Sequence, residues 1–223
     1  MDPTPAHDRH NEDLLALVPT GARRLVEVGC SSGALARAYR LLNPGCHYVG
    51  IEAVPAYAEL ARRHCDAVVD ADIERLDEEA LRRDFPCDCW IFGDVLEHLV
   101  DPWRLLARVR RVIPPDGSVV ACIPNAQHWS VQARLNSGRF VYEDIGLLDR
   151  THLRWFTRST IVDLFNGAGF RIVAALPRTF NEPRDPSVLA AIRALASSVG
   201  GDPETAARDA LPWQYVIRAV PAP

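Results

Sequence analysis

The chain has 223 residues, of which 48% are hydrophobic and 24% charged, with 25 basic and 29 acidic side chains and a formal charge of −4. That balance excludes a disordered or fibrous chain and lacks the basic excess of a nucleic-acid binder. At this length roughly 70% of the unfolded chain's surface can be buried, so one domain over 1–223 is expected, without disulfides or a structural metal.

Residues 1–19 show neither the basic start nor the long apolar run of a signal peptide, and no later run is long enough to cross a bilayer. No membrane contact is therefore expected, and the apolar run 14–18 permits a helix. From 24 to 124, short β-branched runs alternate with amphipathic stretches, the pattern of a parallel sheet with crossover helices. Strands are predicted over 24–28, 47–52, 67–71, 88–93 and 118–123, and helices over 34–42, 55–64, 76–84 and 102–112. In the last of these, Leu105, Leu106, Val109 and Val112 recur at helical spacing. Asp101 before Pro102 marks its start, and Pro114-Pro115-Asp116-Gly117 its end.

After Pro124 the rhythm breaks. Residues 125–156 are rich in aromatic, histidine and arginine side chains and read as a segment inserted above the sheet. The C-terminal part, 157–223, holds a helix over 157–166, a stop at Gly167-Ala168-Gly169 and a strand over 170–176. A proline- and aspartate-rich connection with one or two helices then leads to a last strand over 214–220.

All 25 basic residues are arginine, which excludes Schiff-base and phosphate-loop lysine chemistry. The six cysteines, at 30, 46, 65, 87, 89 and 122, form no C-x-x-C pair and have no matching Cys/His pair at zinc spacing. A reduced, cytoplasmic setting and no metal site are expected.

The first strand runs directly into Gly29-Cys30-Ser31-Ser32-Gly33, a tight turn at the carboxyl end of the strand, where open α/β sheets bind ligands. A dinucleotide fingerprint would need glycine at 31, which here is Ser31. The side chain obstructs a pyrophosphate, whereas a ligand without one meets no such constraint. Glu52 closes the second strand, where an acid either accepts hydrogen bonds from both hydroxyls of a ribose or caps the helix starting near Pro55.

The elements Glu27-x-Gly29-x-x-x-Gly33, Glu52, Val69-Asp70-Ala71-Asp72-Ile73-Glu74 and Gly93-Asp94-Val95-Leu96-Glu97-His98-Leu99 together resemble class I S-adenosylmethionine-dependent methyltransferases over 24–125. The later Gly146-Leu147-Leu148-Asp149-Arg150-Thr151-His152-Leu153-Arg154-Trp155-Phe156-Thr157 resembles a small-molecule subgroup often found beside glycosyltransferase and natural-product genes. The resemblance implies a Rossmann-like α/β fold whose seven-stranded sheet has the order 3-2-1-4-5-7-6, the last strand antiparallel, with an insertion after the fifth strand. It implies S-adenosyl-L-methionine as cofactor. Glu27, Gly29, Cys30, Ser31 and Gly33 would surround the methionine portion and Glu52 would hold the ribose. Asp72 would face the adenine amino group while Ile73 packs on the ring. Gly93, Asp94, Val95 and Leu96 would receive the sulfonium end and its α-amino group. Asp72 has a plainer alternative, capping the turn that follows it.

A methyl on a sulfonium is already activated, so the protein's main task is to align a nucleophile behind it, worth roughly 7–11 kcal/mol. A hydroxyl acceptor gains about 10²–10⁴-fold more from a base. His128 and His152, both in the inserted segment, are the candidate bases, with Asp149 placed to orient a neighbouring cation. Trp129, Phe140, Tyr142 and Trp155 would wall the acceptor pocket. Arg154, with Arg150 and Arg158, makes a cationic stripe that is either a solvated face or a contact for an anionic group on the acceptor. The expected function is metal-independent methyl transfer to a small molecule, most readily an oxygen on a sugar or natural product. Nucleic acid is not expected as acceptor, since no Asn/Asp-Pro-Pro-aromatic tetrad follows the fourth strand. The alternatives are a methyltransferase-like binding protein without catalysis and an NAD-dependent oxidoreductase.

Overall fold

The computed structural model describes residues 8–180 and 185–223. Residues 1–7, where the N-terminal segment begins, and 181–184, in the proline- and aspartate-rich connection, lie outside the described residues. The strands are β1 Arg24–Val28, β2 His47–Glu52, β3 Ala67–Asp70, β4 Cys89–Gly93, β5 Ser118–Pro124, β6 Phe170–Arg178 and β7 Gln214–Pro221. They form one sheet in the order β3-β2-β1-β4-β5-β7-β6, with β7 antiparallel to both its neighbours. This is the order and the strand direction that the resemblance implies.

The helices are α1 Glu12–Leu17, α2 Ala34–Leu42, α3 Pro55–Ala61, α4 Glu78–Asp84, α5 Pro102–Val112, α6 Trp129–Asn136, α7 Arg158–Gly167, α8 Pro186–Ser198 and α9 Pro203–Asp209. Successive strand residues point to opposite faces, and here both faces are covered, so the strands read as unbroken apolar runs. Val26, Val28, Trp90 and Phe92 pack with Leu81, Leu105, Val109 and Phe165 from α4, α5 and α7. On the other face Leu25, Ile91, Val120 and Val216 pack with Leu14, Leu35 and Tyr39 from α1 and α2. All six cysteines are free and buried in these layers.

The helices start and stop for local reasons. Asp101 accepts the Arg104 N–H at 2.9 Å and Pro102 occupies the first turn of α5. The helix expected over 55–64 ends instead at Ala61, where the chain tightens into a turn with His64 N–H donating to the Ala61 carbonyl at 2.9 Å. The helix expected from 76 begins at Glu78, because Asp77 caps it by accepting the Ala80 N–H at 2.8 Å.

The inserted segment leaves and rejoins the sheet at one point. Asn125 bridges to Phe156, and the Ala126 N–H donates to the Phe156 carbonyl at 2.8 Å. The segment is not irregular throughout, because it contains α6. Among the described residues no helix is long and apolar enough to cross a membrane.

Candidate active site

The loop after β1 is held in a shape that side chains resist. Gly29, Ser31 and Gly33 have φ of 68°, 47° and 77°, the left-handed region that glycine enters without steric cost. A Cβ at Gly29 would lie 2.6 Å from Cγ2 of Val95, so the backbone passes directly against the loop that follows β4. The Gly29 N–H donates to the Ile51 carbonyl at 2.7 Å, which ties the turn to β2.

Glu52, buried at the end of β2, secures the same loop. Its Oε2 accepts the Ser31 N–H and its Oε1 the Val54 N–H, both at 2.9 Å. The second holds the residue that precedes α3, which has no side-chain cap of its own; the first fixes the glycine turn. A carboxylate offers about four lone-pair sites, and the backbone takes two of them, leaving capacity for the two hydroxyls of a ribose.

Glu27 lies on β1 below the turn, accepting the Tyr48 hydroxyl at 2.8 Å. Burial pushes its carboxyl up to about 8, against the lowering effect of the Tyr48 hydrogen bond and with a further push from Glu52. It is therefore largely neutral near pH 7, with a charge it can gain beside a cationic ligand.

Asp72 caps the one-turn helix Ile73–Arg75, accepting the Glu74 N–H at 3.0 Å, and pairs with Arg75 at 3.2 Å. Ile73 is buried in the core. The structure thus shows the capping role of Asp72. Gly93 ends β4 against α1: a Cβ there would meet Cδ2 of Leu14 at 2.8 Å. Asp94 has φ of 55° and accepts a hydrogen bond from Nε2 of Gln214 at the start of β7. A non-glycine residue in this region is uncommon and marks a position the surroundings dictate. Val95 packs on Gly29, while Leu96 is fully buried in the core. Cys30 is also buried, with Sγ against the backbone of Gly50, so it contributes packing and backbone to the turn.

The two candidate bases are placed very differently. His128 is 2% exposed and caps α6, its Nδ1 accepting the Ser130 N–H at 3.3 Å and lying 2.8 Å from the Ser130 hydroxyl. Trp129 stays with it, and its N–H donates to the Ala210 carbonyl at 2.9 Å. His152 instead lies beside the loop after β4: its Nε2 is 4.0 Å from Oε1 of Glu97, and its ring meets His98 edge-on at 4.8 Å. Burial and neighbouring His98 push the His152 imidazole down to about 4, so it is neutral near pH 7.

Asp149 is buried and orients this group through Thr151. Its Oδ1 accepts the Thr151 N–H at 2.7 Å and the Thr151 hydroxyl at 2.6 Å, and that hydroxyl oxygen lies 3.0 Å from Nδ1 of His98. Trp155 packs beside His152, Phe140 beside Trp155 and Tyr142 beside Phe140, forming a half-exposed aromatic wall. Trp129 is not part of that string. Arg154 is anchored to the Val100 carbonyl at 3.0 Å and lies over the Trp103 ring, while Arg150 and Arg158 pair with Asp144 and Asp209. Two of the three stripe cations are thus ion-paired, while Arg154 is held by a carbonyl and an aromatic ring.

The site also uses residues that sequence reasoning did not single out as functional. Gln214 and Tyr48 hold Asp94 and Glu27, and nothing local in their sequence neighbourhoods marks them; only the strand order brings them near. Glu97, by contrast, is offered by the sequence together with His98, either for direct substrate chemistry or simply to fix a turn; its carbonyl anchors the inserted segment, accepting the Leu153 and Arg154 N–H groups at 2.8 and 2.9 Å.

Comparison with known proteins gives this geometry a family. The model for the methyltransferase domain matches residues 7–175. The chain belongs to that family. S-adenosylmethionine is the cofactor, and the turn without room for a Cβ and the partly engaged Glu52 carboxylate fit it. The chain is 28% identical over 103 residues to the ubiquinone biosynthesis O-methyltransferase of Xylella fastidiosa, covering 45% of this chain and 41% of that protein. It is 24% identical over 173 residues to the protein of the same name from Cereibacter sphaeroides, covering 77% and 69%. The match therefore spans less than half the length of the Xylella relative. The crystal structure of a SAM-dependent methyltransferase from Archaeoglobus fulgidus shares the fold, with a TM-score of 0.62 at 19% identity over 90% of this chain and 87% of that one.

Proposed function

We propose that this methyltransferase-family protein transfers the methyl group of S-adenosylmethionine to an oxygen of a small-molecule acceptor, a sugar or natural product with a ring face. The bound donor supplies a methyl group already activated on its sulfonium. The chain's residues bind and orient it: Glu52 and the strained turn hold the ribose and methionine portions, Glu27 takes on charge beside the cationic end, and Asp94 is set by Gln214. The observation that carries the reading is that one short loop after β4 meets both sides, Val95 packing against Gly29 of the turn and Glu97 lying 4.0 Å from Nε2 of His152, so that donor and acceptor sites adjoin.

The acceptor side is roofed by 125–156. There His152 faces the donor loop, whereas His128 holds α6 in place, so we assign acceptor contact to His152 and positioning to His128. Asp149 orients the group through Thr151, and the Phe140, Tyr142 and Trp155 wall gives an acceptor ring a surface to stack on. Trp129 and Arg154 support the roof from either end. The names of the Xylella and Cereibacter relatives support oxygen as the methylated atom.

The test is calorimetry with S-adenosylmethionine, S-adenosylhomocysteine and NAD, followed by mass spectrometry of reactions with a panel of phenols, catechols and glycosides. Binding of the first two and a gain of one methyl on an acceptor oxygen is the expected result. Binding of NAD alone would overturn the reading, and binding without product on any acceptor would favour a non-catalytic binding protein.

A further inference from the structure

Glu97, His98 and His152 form a group that the methyl-transfer chemistry above does not explain. One ligand atom from each, a carboxylate oxygen and two imidazole nitrogens, lie within 4.8 Å of one another. Glu97 is 1% exposed, and neither of its carboxylate oxygens has a hydrogen-bond partner among the described residues. A buried acceptor left unmade costs about 1–3 kcal/mol, and more when charged. Asp94 and Asp149 lie close enough to disfavour its charge further.

The hydrogen bonds also fix what the two rings present. Thr151 gives its hydroxyl proton to Asp149, so its oxygen can only accept from His98, which places a proton on Nδ1 of that ring and leaves Nε2 a bare lone pair. Nδ1 of His152 lies 3.3 Å from the Leu147 carbonyl, an acceptor, so it too carries the proton and Nε2 is bare toward Glu97. Nε2 of His152 and Oε1 of Glu97 thus face each other across 4.0 Å with no hydrogen bond between them. The remote ring nitrogens donate to a carbonyl and to a carboxylate-bound hydroxyl, as metal-ligating histidines do.

We infer that Glu97, His98 and His152 bind one divalent transition-metal cation. Two imidazoles and one carboxylate suit first-row ions such as Mn²⁺ and Zn²⁺ better than Mg²⁺, and leave coordination positions open. The ligands come from two segments, 97–98 and 152, so no short spacing motif announces the site; the cysteine arithmetic that predicted no metal does not bear on it. With the cation present, His152 is a ligand rather than a proton acceptor, and an acceptor oxygen can take an open position. That last role rests on the proposed methyl transfer; cation binding does not.

The test uses the whole chain, stripped with a chelator and titrated with Mn²⁺ and with Zn²⁺ by calorimetry, without donor or acceptor. One equivalent of cation should bind, and electron spin-echo spectra of the Mn²⁺ protein should show coupling to imidazole nitrogen. Glu97→Gln, nearly the same size, should weaken binding by about 100-fold or more. Thr151→Val, acting through His98, should weaken it about 10–100-fold. Neither variant should change affinity for S-adenosylhomocysteine, which reports that the fold is intact. No heat from either ion, no nitrogen coupling in the wild-type protein, or Glu97→Gln binding as wild type overturns the inference. Loss of S-adenosylhomocysteine binding by the wild-type protein would count against the proposed function instead.

Discussion

Replacing Glu27 by glutamine should make the protein more stable, and increasingly so as the pH rises. The carboxyl is lifted from 4.5 to about 8 by burial, and each tenfold change in proton affinity is worth about 1.4 kcal/mol. The folded chain keeps its proton between those pH values while the unfolded chain has lost it, so wild-type stability falls as pH rises through that window. The loss is about 2 kcal/mol at pH 6 and approaches about 5 kcal/mol above pH 8. Glutamine keeps an acceptor for the Tyr48 hydroxyl and has no charge to desolvate, so its own packing cost is independent of pH. Urea unfolding of both proteins at pH 5, 6, 7 and 8.5, with the difference plotted against pH, isolates the effect because the other titrating groups cancel. A difference that does not change with pH would show that Glu27 ionises freely in the fold and would refute the argument.

Glu52→Ala should weaken S-adenosylhomocysteine binding by about 1.5–3 kcal/mol, the scale of hydrogen bonds to a charged group, as read by calorimetry; an unchanged dissociation constant contradicts the ribose role. Gly29→Ala places a methyl 2.6 Å from Val95 at φ of 68°, so it should lower the melting temperature and abolish cofactor binding, whereas Gly138→Ala, at φ of 70° with open space around it, should affect stability alone. His128→Ala removes the cap of α6 and should cost about 0.5–2 kcal/mol of stability with turnover retained per folded molecule. A turnover loss beyond the folded fraction would return His128 to the chemistry.

The cofactor half was legible because its signals are local. β1, β2, α2 and α5 have the bounds that the apolar patterns and the Asp101-Pro102 and Gly29–Gly33 signals predict. Boundaries slipped where a side chain decided them, as Asp77 does for α4. α6 escaped because its apolar residues Trp129, Val131, Ala133 and Leu135 alternate like a strand; what makes it a helix is the His128 cap and the bond from Trp129 to Ala210, which no local pattern reports. On the acceptor side, the sequence offers two histidines of equal appeal. Their surroundings separate them, since one is spent on a helix end and the other is set against Glu97, from a segment more than fifty residues earlier.

The inserted segment begins and ends at a single place on the rim, where Asn125 meets Phe156. Such an arrangement makes it a cassette: its contents can be lengthened, shortened or exchanged without shifting the register of β5 and β7 beneath it. Grafting the equivalent stretch from a relative between those two residues, with the Thr151, Leu153 and Arg154 contacts to the loop after β4 retained, is therefore a direct test of whether the segment sets the acceptor.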